Sequence, residues 1–146
     1  MIYPFLLVTH LLAAIGFIGT LFFEVWIWHW ARRQLTADAR ATADQAIAVR
    51  SRKVLHGVVL VLYGAGLGLA WQHRGVLSHP LDSRFASLLS LKIVLALSIV
   101  GHYLLLAYWL HHARLTEARA SWIRRSILGH MLLIVILAKA MFYWHG

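Results

Sequence analysis

The stretch PFLLVTHLLAAIGFIGTLFFEVWIWHW, residues 4–30, decides the fold class of this chain. A helix rises about 1.5 Å per residue, so about 20 apolar residues cross a hydrocarbon core of about 30 Å. This run reaches that length, and Glu24 is the one acidic or basic side chain within it apart from its histidines. Trp26, Trp28 and Trp30 gather at one end. Indole rings favour the headgroup level of a bilayer, so the run reads as a transmembrane helix with its tryptophan-rich end at an interface.

Outward from that run, three more apolar stretches cover about residues 54–71, 85–110 and 127–144. The chain is 61% hydrophobic and only 13% charged. A soluble domain of this size has too much surface to hide such a fraction. The expected fold is all-α: an integral membrane four-helix bundle forming a single domain over residues 1–146, with the bilayer as its principal partner and loops at 31–53 and 111–126. No internal repeat is expected. The first run lacks a basic leader and is too long for a signal core, so it is expected to be retained as a helix. With no cysteine, disulfides, thiolate metal sites and cysteine nucleophiles are excluded.

The net charge of +9 is unevenly placed. Arg32, Arg33, Arg40, Arg50, Arg52 and Lys53 lie between the first two stretches, and Arg114, Arg119, Arg124 and Arg125 between the last two. The middle connection holds only Arg74 and Arg84. Cytoplasmic loops accumulate Lys and Arg, which predicts both termini on the non-cytoplasmic side of a bacterial-type inner membrane. No soluble basic domain remains to bind nucleic acid, so the charge is a topology signal. Thr36 and Asp38 can cap a helix start, so the alanine-rich segment after them reads as a short cytoplasmic helix or an inward extension of the second transmembrane helix.

Ionisable groups at membrane depth are costly and are kept mainly where they face a protein interior. His10 and Glu24 are fourteen residues apart, which leaves them within about 40° of one helix face at about 100° per residue. Ala13, Phe17 and Leu21 share that stripe. The alternatives are an interfacial His10 held by a backbone carbonyl and a Glu24 paired with Arg52 or Lys53. On the second helix His56 borders a face of Gly57, Gly64 and Gly68, where glycine leaves room for a helix neighbour or a flat macrocycle. His102, preceded by Ser98 and Gly101, is too deep for an easy interfacial escape. His130 and Lys139 are nine residues apart, on opposite faces of one helix. Lys139 and Lys92 can also snorkel to the outer interface.

The segment Thr9-His10 through Gly16-Phe17-Ile18-Gly19-Thr20-Leu21-Phe22-Phe23 resembles the first helix of the small HemJ-like and CopD-like membrane families. Leu91-Lys92-Ile93-Val94-Leu95 followed by His102 resembles the HemJ third-helix pattern, and Lys139 its late lysine. HemJ proteins bind haem and are associated with protoporphyrinogen oxidation; CopD proteins are associated with copper uptake or resistance. The resemblance implies His10 as a haem ligand, with Lys92, His102 and Lys139 near cofactor or substrate. Imidazole suits iron and copper alike, while the scattered methionines and absent cysteines suit a copper pathway less well.

The expected function is a haem b-binding membrane protein that moves electrons or acts as a quinone-linked oxidoreductase on a quinone or porphyrin. Its expected cofactor and metal ligands are His10, His56, His102 and His130, with Gly64 and Gly68 beside the ring. Glu24, Lys92 and Lys139 are the catalytic candidates. A copper transport protein and an accessory subunit of a membrane complex stay open as alternatives, and the small-residue faces leave room for a homodimer.

Overall fold

The structure, a computed structural model, describes residues 2–143. Helix α1 (Ile2–Phe22) runs on through a π-helical turn (Phe23–Trp28), α2 (His29–Ala31) and a 3₁₀ turn (Arg32–Gln34). Leu35 is extended, at φ −90° and ψ 148°, and α3 (Ala37–Gln72) follows. After the short α4 (Arg74–Leu77) come α5 (Arg84–His111) and α6 (Glu117–Tyr143). No strand occurs among the described residues. Four helices are long and apolar enough to cross a membrane: Ile2–Gln34, Ala37–Gln72, Arg84–His111 and Glu117–Met141.

The chain forms two compact units, residues 1–72 and 73–146. In the first, α1 packs against α3 as an antiparallel hairpin. Ala13, Phe17 and Leu21 are its buried residues on α1, the stripe expected from helical phase, and they meet buried Leu62 and Ala65 on α3. Phe17 is wholly enclosed, at 0% exposure. The α3 helix has 36 residues, about 54 Å at the usual rise, so it outruns a 30 Å core. The segment at 31–53 is mostly helix rather than loop, and from Ala37 on it is continuous with the second long helix rather than a separate short one. Its basic end is tied down by Asp44, which accepts from Trp28 Nε1 at 2.8 Å and pairs with Arg32.

In the second unit, α5 starts where Ser83 Oγ accepts the Ala86 amide at 3.1 Å, a capping bond that satisfies one of the open donors of the first turn. Buried Ile99 on α5 packs in a core with Ile123, Ile127, Leu128 and Met131 of α6. The fourth helix begins at Glu117, ten residues before the apolar run that announced it, because Glu117 and Arg124 solvate an added basic turn. Trp144, taken as its far end, lies outside the described residues.

The exterior is apolar. Leu60 is 75% exposed and Leu67 71%, a density of uncovered leucine that suits hydrocarbon and not water. No polar or charged residue is fully buried among the described residues.

Candidate functional site

The α5–α6 hairpin contains a motif that appears twice. Leu97-Ser98-Ile99-Val100-Gly101-His102-Tyr103-Leu104-Leu105-Leu106 on α5 is matched by Arg125-Ser126-Ile127-Leu128-Gly129-His130-Met131-Leu132-Leu133-Ile134 on α6. The expectation of no internal repeat is thus corrected. The signal was present as Ser-Ile-x-Gly-His, but four residues repeated once within apolar sequence are hard to notice without the contact that joins them.

That contact is reciprocal. His102 Nδ1 lies 2.7 Å from the Ser98 carbonyl oxygen of its own helix, and its Nε2 lies 2.8 Å from Ser126 Oγ of the other. His130 Nδ1 lies 2.7 Å from the Ser126 carbonyl oxygen, and its Nε2 lies 3.2 Å from Ser98 Oγ. A carbonyl oxygen only accepts, so Nδ1 carries the proton in both rings. In a neutral ring each Nε2 then offers a lone pair that the facing serine hydroxyl satisfies. The two rings sit edge to face with centroids 5.1 Å apart, and Trp122 stacks on His102 at 5.6 Å.

Antiparallel helices carrying the same motif are related by an approximate two-fold axis perpendicular to their common plane. Such an axis keeps equivalent residues on one face, so Gly101 and Gly129 share a face of the hairpin. Both are exposed, and a Cβ added at either meets no atom within 4 Å. That open face flanks the imidazole pair.

His10 is positioned differently. Its Nδ1 lies 2.9 Å from the Leu62 carbonyl oxygen across the first hairpin, and its ring lies against Gly66. A Cβ at Gly66 would stand 3.1 Å from His10 Cε1, so here glycine lets the ring approach the helix backbone closely. Gly66 was not among the glycines singled out by sequence. Gly68 makes room for Leu6 at 3.0 Å, whereas Gly57 and Gly64 face open space. Gly68 thus serves helix packing, while Gly64, one turn before it on the same face, borders open space.

The remaining candidates separate. His56 is exposed and bonds the Arg52 carbonyl oxygen of its own helix at 2.6 Å, so it joins no other candidate. Glu24 sits in the π turn, a rare helical form enriched at functional sites. Its side chain makes no hydrogen bond or ion pair among the described residues, and neither Arg52 nor Lys53 pairs with it. The carboxylate that does organise the basic end is Asp44. Lys92 is half-buried on α5. Lys139 is exposed and lies 4.9 Å from the Tyr143 ring of its own helix, which settles the conflict on α6 by leaving the inward face to His130.

Within the second unit His102 and His130 meet, and no group of three or more His, Asp or Glu able to hold a metal ion occurs among the described residues. Neither family models, curated proteins nor solved structures match the chain.

Proposed function

We propose that this is a multi-pass membrane protein that binds haem b and passes electrons, with the His102–His130 pair as its ligand source. The observation that carries the reading is the state of the two imidazoles: Nδ1 is committed to a backbone carbonyl and Nε2 is turned toward an exchangeable serine hydroxyl. Ligating histidines are oriented in this way, the bond at one ring nitrogen fixing which lone pair is offered to the metal. The donor count supports the same group, because a porphyrin supplies four nitrogens and asks the protein for only one or two.

With ring centroids 5.1 Å apart, no macrocycle fits between the two imidazoles. His102 or His130 would therefore hold the group through one ring nitrogen, in exchange for its serine partner, with the other imidazole beside it. Bound there, haem b supplies a one-electron couple. The chain's own part is to hold the ligand tautomer through Ser98 and Ser126, to stack Trp122 against His102, and to keep water away with the apolar surface of the hairpin. The likeness of the His10, Lys92 and Lys139 segments to the HemJ pattern supports a haem protein, with His10 as a separate ligand candidate in the first hairpin.

A copper ion held by the same two imidazoles is the second reading, favoured by the 5.1 Å separation of the two ring centroids. One experiment divides the readings. Protein purified from haem- and copper-replete cells should show a Soret band, reducible α and β bands, and iron in proportion to protein. Stoichiometric copper without a Soret band moves the assignment to copper. A colourless, metal-free, folded preparation that takes up neither added haemin nor copper ends both.

A further inference from the structure

We infer that the basic end of the α1–α3 hairpin holds an acidic glycerophospholipid, its phosphate at Arg50 and one acyl chain in the groove beside Gly19. The groove has a volume of about 440 Å³ and is lined by Gly16, Gly19, Thr20 and Phe23 of α1 and by Arg50, Ser51 and Val54 of α3. Its walls run in order of polarity. Gly16 lies near Val58, so the Gly16 end points into the span, whereas Arg50 and Ser51 stand toward the basic end that Arg32 and Asp44 tie together. A phospholipid has the same order, with apolar chain at depth and anionic phosphate at the interface.

Three details favour this occupant. A Cβ added at Gly19 meets nothing within 4 Å, so the glycine leaves a channel that no side chain of the protein fills. The Thr20 hydroxyl is already spent on the Gly16 carbonyl oxygen at 2.8 Å, so that wall presents its methyl group and asks for no polar partner. Arg50 is exposed and makes no hydrogen bond or ion pair among the described residues, and Lys53 follows it by one turn. Glu24, the nearest acidic residue in sequence to the α1 wall, does not line the groove and leaves Arg50 unneutralised. A guanidinium at headgroup level is matched to phosphate by its planar fork of donors.

The test uses the full-length protein in detergent, stripped of lipid and then mixed with phosphatidylglycerol or phosphatidylcholine of identical acyl chains. Bound lipid is counted by native mass spectrometry. The wild type should retain one phosphatidylglycerol in preference to phosphatidylcholine by about fivefold, the scale of one basic residue near an anionic headgroup. Arg50→Gln should abolish that preference, Arg125→Gln in the other hairpin should not, and Gly19→Phe should lower the binding of both lipids at unchanged helicity. Retention of the preference in Arg50→Gln, or of lipid in a folded Gly19→Phe, overturns the assignment. Displacement of phosphatidylglycerol by millimolar inorganic phosphate also overturns it, since the groove would then recognise a free anion. If Gly19→Phe does not fold, Arg50→Gln alone decides.

Discussion

At His102 and His130 both ring nitrogens have partners, the second being a serine of the opposite helix. Each Nε2 is answered by a serine from the opposite helix, so the four side chains act as one unit and their effects should not add. Replacing Ser126 by Ala leaves the His102 Nε2 lone pair without a donor. Both residues are half-buried, so the cost should lie near the lower end of the range for an unsatisfied group, about 1 kcal/mol. Thermal unfolding of Ser126→Ala, Ser98→Ala and the double variant measures it, and a double variant no worse than either single one identifies the shared unit. Under the haem reading, His102→Ala and His130→Ala change the spectrum or haem content, whereas His79→Ala and His111→Ala leave both unchanged. Gly66 offers a test independent of any cofactor. Gly66→Ala drives a Cβ to 3.1 Å from His10 Cε1 and should destabilise by about 1–3 kcal/mol, while Gly64→Ala, which faces open space, should gain about 0.5–1 kcal/mol from helix propensity.

At the scale of elements, the turn between α5 and α6 and the face of that hairpin carry separable consequences. Ala113 has φ 51°, the only positive-φ non-glycine residue among those described. A Cβ in the left-handed region costs about 1–2 kcal/mol, part of which glycine returns as entropy of the unfolded chain. Ala113→Gly should therefore raise stability by up to about 1 kcal/mol without altering the imidazole pair. The Gly101–Gly129 face is tested by filling it. Because added atoms meet nothing there, Gly101→Leu with Gly129→Leu should leave helicity and unfolding temperature close to wild type while excluding a planar macrocycle. Full haem content in the folded double variant would place the haem elsewhere, with His10 the next residue to examine.

For the molecule as a whole, the testable property is its passage through the bilayer. Four spans and the excess of Lys and Arg in the segments at 31–53 and 111–126 lead us to expect both termini on the non-cytoplasmic side. Reporter fusions after Gly146 should be active only where the reporter works outside the cytoplasm, and a cytoplasmic reading there would reverse the topology. Much of this was legible without coordinates. Hydrophobic length, charge placement and helical phase are local properties of the chain, so the four helices followed from the apolar runs, and the buried Ala13, Phe17 and Leu21 stripe followed from the 3.6-residue period. Helix ends were less legible, since the turns that extend α3 and α6 past the membrane are polar and carry no hydropathy signal. What only the tertiary structure decided is which side chains meet. The register and rotation of α5 against α6 place Ser98 beside His130 and Ser126 beside His102. The register of α1 against α3 chooses Gly66 over Gly64 for His10. Such pairings join residues far apart in sequence through contacts between two helices, and a pattern read along one helix holds no information on the neighbour's rotation.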